Sequence, residues 1–129
     1  AWLDAFAAAV RDRDLAAGRA LFASDVIGYG TRTATATDLD ELVSQQWSHI
    51  WPATHGFCFT EIDRSDPVSV ASGAVTGLHV VAARWASQAD AGGAERTGRS
   101  TLVLSDDGAG LRCVHSHFSL DPADGGRIQ

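Results

Sequence analysis

The chain has 129 residues, 45% of them hydrophobic and 20% charged, with a net charge of -6 in which every cation is an arginine. That length fits one domain, and the composition is that of an ordinary globule, which excludes disorder and fibrous repeats. An acidic chain repels phosphate backbones and anionic lipid heads, so neither nucleic acid nor a membrane surface is an expected partner.

No stretch offers the run of apolar residues that a membrane span needs, and the start lacks the basic region and small-residue cleavage site of a signal peptide, so a cytoplasmic protein is expected. Missing lysine beside abundant alanine, glycine and arginine suggests a high-GC bacterial genome. Trp2, Leu3, Phe6, Ala9 and Val10 recur at the three- and four-residue spacing of one apolar helix stripe. Asp14 is placed to cap a short second helix that buries Leu15, Gly18, Leu21 and Phe22. Val26 to Thr31 reads as a strand, and the two glycines flanking Tyr29 predict either a bend or something packed close to the backbone. Thr37-x-x-Asp40 resembles a capping box, and Leu39, Val43, Trp47 and Ile50 continue as a third helix until Pro52.

Beyond Pro52 the period shifts from about 3.6 to 2, which predicts sheet for the rest of the chain. Strands are expected near residues 57–71, 74–88, 96–105 and 110–120, with turns at Ser72-Gly73, Asp90 to Gly93 and Asp106-Asp107-Gly108. Asp66-Pro67 predicts a bulge or edge irregularity in the first of these strands. Cys58 and Cys113 have apolar or β-forming neighbours and no C-x-x-C spacing, so free thiols are expected rather than a disulfide. Helices followed by an antiparallel meander argue for an α+β domain over residues 1–122, with 123–129 as a flexible C-terminal tail.

The run Gly98-Arg99-Ser100-Thr101-Leu102-Val103-Leu104, a DG turn, and Leu111-Arg112-Cys113-Val114-His115-Ser116-His117-Phe118-Ser119 resembles the end of SnoaL-like domains, which belong to the nuclear transport factor 2-like superfamily. Ala20 to Val26 looks like that superfamily's entry into its first strand, and Gln46 to Pro52 also fits. The V-H-x-H-x-S run is similar to the last strand of the association domain of calmodulin-dependent kinase II. The resemblance implies an α+β cone, with three N-terminal helices packed in the concave face of a highly curved, mostly antiparallel sheet. It also implies a pocket between them and a homodimer joined through the convex sheet face. The scaffold hosts many functions, so activity must be argued from the site.

Ketosteroid isomerases of this superfamily place a carboxylate base where this chain has Gly30, a tyrosine where it has Phe6, and an aspartic acid on or next to Thr101. All three groups are lost, so that chemistry is not expected. The superfamily's polyketide cyclases rely on an acidic residue, and no carboxylate lies between Leu111 and Leu120. Tyr29, His115 and His117 remain as weak catalytic candidates. Aligning the last strand with the family puts Ser116 and Phe118 on the pocket face, with Leu78, Val80, Arg84, Arg99, Thr101 and Val103, closed by Tyr29, Trp47 and Trp51. His79, Val81, Trp85, Cys113, His115 and His117 then fall on the convex face, in the dimer interface. The two histidines of His115-x-His117 stand about 7 Å apart on one strand face, a spacing metals can use, but no HExxH motif or carboxylate cluster supports a metal, and none is expected. No cofactor is implied.

Arg84 sits where the kinase association domains carry a pocket arginine, whereas Thr101 and Phe118 replace two others. An inward guanidinium needs a partner, either an internal carboxylate or one supplied by a ligand. The expected function is therefore a homodimeric protein whose conical pocket binds a small, partly apolar molecule, with an anion favoured by the arginines. The alternatives are an isomerase, cyclase or lyase acting on a carbonyl or polyketide-type compound, and a self-association module.

Overall fold

Helix α1 (Trp2–Asp12) forms on the predicted stripe and buries Trp2, Phe6, Ala9 and Val10. It ends at Arg13, a non-glycine residue in the left-handed region at φ 54°, whose guanidinium donates to the Thr54 carbonyl and to Nδ1 of His55. Asp14 caps α2 (Leu15–Arg19) by accepting from the Ala17 amide. The computed structural model describes residues 1–31, 35–68, 77–89, 93–106, 108 and 110–122. Strand β1 (Phe22–Tyr29) follows α2 directly.

The third helical rod, α3 (residues 39–53), is not a uniform α-helix. It runs through an α turn at Leu39–Leu42, a π turn at Val43–Trp47, an α turn at Ser48–Ile50 and a 3₁₀ turn at Trp51–Ala53. The capping box lies one residue later than the sequence suggests. Asp38, not Thr37, accepts from the backbone at Glu41, and the Glu41 carboxylate reaches back to the amide and hydroxyl of Thr37. Asp40, the expected box residue, instead pairs with Arg19.

Three antiparallel pairings and one parallel pairing make the sheet: β1 runs parallel beside β5 (Leu111–Leu120), then come β4 (Glu95–Asp106), β3 (Leu78–Gln88) and β2 (His55–Val68). The predicted bulge at Asp66-Pro67 is absent, since these residues pair regularly with Val80 and His79. The register shifts lie upstream, between His55 and Arg64. Strand β2 is at the sheet edge, the position in a sheet where proline is tolerated. The turns expected at Ser72-Gly73 and Asp90 to Gly92, Asp107, and the tail 123–129 lie outside the described residues. At the last hairpin Gly108 takes φ 92° and its amide donates to the Asp106 carboxylate, a local turn bond that glycine's missing side chain permits.

Cross-strand rows define two faces. The inner rows are His79–Leu104–Cys113–Phe22, Val81–Leu102–Ser116–Gly28, Ala83–Ser100–Phe118 and Trp85–Gly98–Leu120. The outer rows are Val80–Val103–His115–Ile27, Ala82–Thr101–His117–Tyr29 and Arg84–Arg99–Ser119. The helices cover the inner face, where Leu102, Val26 and Cys113 are completely buried. Among the described residues no helix is long and apolar enough to cross a membrane.

Both cysteines are free. Burial is the main cause that pushes the Cys113 thiol up to about 12, partly offset by backbone hydrogen bonds at His115 and Val103. The folded chain therefore keeps this proton after the unfolded chain has lost it. Stability from Cys113 is complete below the ordinary thiol pKa of 9.0 and is expected to drain away, by about 1 kcal/mol per pH unit, as pH rises from 9.0 towards 12. Denaturant unfolding at pH 8, 9 and 10 should show this loss in the parent and a shallower slope in Cys113→Ala. Equal slopes would remove the burial argument.

Candidate functional site

A cavity of about 320 Å³ opens between α1, α3 and the inner sheet face. Helix α1 contributes Phe6 and Val10, and α3 contributes Gln46, Trp47, His49, Ile50 and Trp51. The sheet side is Phe57, Trp85, Ser87, Arg96, Phe118 and Leu120, and Thr31 and Thr54 also line the space. The walls are largely one connected set of rings. Trp47 stacks on Trp51 at 4.6 Å and 17°, and Phe6 lies 5.9 to 6.1 Å from Trp51, Trp47, Phe118 and Phe57.

Local sequence explains how the polar lining is delivered. The π turn at Val43–Trp47 inserts an extra residue into the helical repeat, and Gln46 and Trp47, adjacent in sequence, are both buried there. Gly30 makes room for Gln46, since a Cβ at residue 30 would stand 2.6 Å from its amide carbon. Gly28 likewise faces Leu42. The glycines flanking Tyr29 thus mark close packing, the second of the two options left open by the sequence. Thr54 donates its hydroxyl proton to the Ile50 carbonyl at 2.6 Å and accepts from Nη2 of Arg96 at 3.4 Å.

Arg96 is the residue that the sequence reading missed. It stands on the inner face opposite Ser87, and its buried Nε has no hydrogen-bond partner among the described residues. No carboxylate lines the cavity among those residues. The two arginines expected inside are outside. Arg84 and Arg99 are direct cross-strand partners in an outer row; Arg84 donates to both Asp63 oxygens at 3.2 Å, and Arg99 lies 3.8 Å from Asp121. The hydrogen bond and then the charge of Asp63 hold the Arg84 pKa above its ordinary value.

Of the other expected pocket residues, Trp47, Trp51 and Phe118 line the cavity. Ser116 faces inward and is buried, but it does not line the cavity. Thr101 and Tyr29 are on the outer face, as are Leu78, Val80 and Val103 of the expected lining. Of the expected interface residues, His115 and His117 do face outward, but His79, Val81, Trp85 and Cys113 belong to the inner rows. On β3 the alternation runs one residue out of phase with the expectation, with Trp85 inward and Arg84 outward, whereas at Cys113 the cause is a single-residue irregularity in β5. Leu104 pairs with Cys113 and Val103 with His115, so Val114 is an extra residue, and Cys113 and Ser116 both face inward although three apart.

The three weak catalytic candidates do come together, away from the cavity. The Tyr29 ring meets His115 at 5.2 Å and His117 at 5.4 Å, nearly edge-on to both. Nδ1 of His115 donates to the Ile27 carbonyl at 2.8 Å, which fixes Nε2 as the nitrogen with the lone pair in the neutral ring. Among the described residues no group of three or more His, Cys, Asp or Glu side chains is placed to hold a metal ion.

No curated protein matches the sequence. Solved structures do match in fold. A protein assigned to the calcium/calmodulin dependent protein kinase II association domains, from Xanthomonas campestris, superposes with TM-score 0.76 at 13% identity, over 93% of this chain and 83% of its own. A ketosteroid isomerase-like protein from Erwinia carotovora atroseptica gives 0.72 at 16% identity, over 92% and 90%. A nuclear transport factor 2-like superfamily protein from Salmonella enterica serovar Typhimurium gives 0.68 at 16% identity, over 98% and 92%. At such identities the likeness is one of fold, the α+β cone, and not of activity. The family model described as a SnoaL-like domain matches residues 1–123, nearly the whole of the cone, and the chain belongs to the SnoaL-like domain family.

Proposed function

We propose that this protein binds a small, partly apolar anion in the cavity between α1, α3 and the sheet, and that it does so as a homodimer joined through the outer sheet face. Arg96 carries the reading. A guanidinium N–H that is buried without an acceptor loses its hydration for no return, and a ligand carboxylate supplies the missing acceptor with a charge-assisted bond. The aromatic walls supply the apolar part. The described lining holds no carboxylate, so a bound anion meets no like charge there and Arg96 has no competing internal carboxylate.

The outer face supports the dimer. It exposes Ile27 at 45% and Tyr29 at 39%, flanked by His115, His117, Thr101 and Val103 in neighbouring rows, a mixture suited to a second copy of the same surface. Light scattering at micromolar concentration is expected to give twice the chain mass, and a monomer would remove this half of the proposal. Two free thiols suit a reducing compartment such as the cytoplasm.

A thermal-shift screen of carboxylates, steroids and aromatic polyketide fragments tests the cavity, since selective binding raises stability by mass action. For a carboxylate found this way, Arg96→Gln is expected to weaken binding by about 10- to 100-fold, the value of a hydrogen bond to a charged group. Arg84→Ala and Arg99→Ala, on the opposite face, should leave it unchanged. The reverse ranking would place the ligand on the outer face and sink the reading.

A further inference from the structure

We infer that the cavity selects a flat aromatic monocarboxylate of one or two rings, its carboxylate held by Arg96. The inference rests on the anion-binding reading above and narrows it to a chemical class. Size comes first. At about 320 Å³ the cavity lies at the lower end of the roughly 300–1,000 Å³ typical of small-molecule sites, which suits one or two rings rather than a large polycycle.

The walls come second. Phe6, Trp47, Trp51, Phe57, Trp85 and Phe118 all line the space, and their mutual angles vary widely. Phe6 meets Trp51 at 74°, Trp85 lies at 30° to Phe57, and Trp47 and Trp51 are nearly parallel. The wall rings therefore do not share one plane, and a guest among them meets aromatic groups set at different angles. An aromatic guest matches faces with edges through its own quadrupole, whereas a saturated guest of the same outline gains only from buried area.

Charge comes third. Arg96 is the arginine among the described lining residues, with one nitrogen already committed to Thr54 and Nε open. One guanidinium neutralises one carboxylate; a dianion would leave a net charge in an apolar cavity, which is costly. A carboxylate conjugated to a flat ring also lies close to the ring plane, so it projects from the ring edge towards the planar guanidinium while the ring stays against the aromatic wall.

The test is isothermal titration of the unaltered protein with benzoate, 2-naphthoate, decahydro-2-naphthoate, 2-naphthamide and 2-naphthyl phosphate. The aromatic acids are expected to bind best, the saturated acid about fivefold or more weaker, and the neutral amide and the phosphate about tenfold or more weaker. If the saturated acid binds as well as 2-naphthoate, aromatic selection is wrong while the anion reading stands. Equal binding of the phosphate overturns the single-charge argument alone. If the amide equals the acid, or if none of the acids binds, the inference and the anion reading fall together.

Discussion

Phe6→Ala is expected to cost about 4 kcal/mol of folding stability, a large share of the roughly 5–15 kcal/mol that holds a domain together. Phe6 is buried on α1 and its ring meets those of Trp2, Phe22, Trp47, Trp51, Phe57, Phe59 and Phe118 at centroid distances of 5.3 to 6.4 Å. It therefore joins helix to helix and helix to sheet at one point. Removing the ring loses its transfer free energy, its edge-to-face contacts and the packing of a wall that cannot collapse, because β2 and β5 are held by their own ladders. Urea unfolding followed by tryptophan fluorescence measures the loss. Phe6→Leu keeps most of the volume and should cost about 1 kcal/mol. A loss below about 1 kcal/mol for the alanine variant would show that the ring cluster is not the centre of the core.

The second large effect is expected at Gly98. A Cβ there would run into the backbone oxygen of Ser119 on β5 and into the Trp85 indole on β3. The indole lies across this position, and its Nε1 donates to the Arg99 carbonyl at 3.3 Å. Neither neighbour can yield cheaply: one is ladder backbone, and the other is a buried tryptophan on the cavity wall. Gly98→Ala should cost about 3 kcal/mol and lower Tm by roughly 10 °C. Gly28→Ala serves as the comparison. Its Cβ would meet the terminal methyl of Leu42 at 2.9 Å, the far end of a flexible side chain, and the cost should be about 1 kcal/mol. If Gly98→Ala proved the milder of the two, the pairing of Trp85 with Gly98 would be wrong, and with it the row that places Arg96 inward.

That row is where sequence reading and structure part company. The alternation in β3 is ambiguous by composition, because Val80 and Val81, and Ala82 and Ala83, offer equal apolar pairs to either face. Only Arg84 beside Trp85 breaks the tie, and the larger apolar ring goes inward. Taking Trp85 as the inward residue fixes Gly98 opposite it, and Arg96 two residues earlier on the same face. The signal for Arg96 is present in the sequence, but an alternation that puts Arg84 and Arg99 inward is one residue out of phase with it. In β5 the extra residue Val114 defeats any strict alternation, which would set Cys113 with His115 and His117, whereas it faces inward with Ser116.

The helical half was more legible, since a stripe of period 3.6 depends on local spacing alone. Trp2, Phe6 and Val10 bury as their spacing demands, and Trp47 and Trp51 pack as a stacked pair. The small shifts there, the cap at Asp38 and the π turn before Trp47, are decided by which carboxylate reaches Thr37 and by how Gln46 fits over Gly30.

By itself the sequence determined the α+β class, its helices, its strands and its family resemblance, because these follow from hydrophobic period, caps and motifs that act over a few residues. Tertiary structure alone decided which arginine enters the cavity and which residues face outward. Strand facing depends on register, and register is set by bulges and by pairing between segments far apart in the chain.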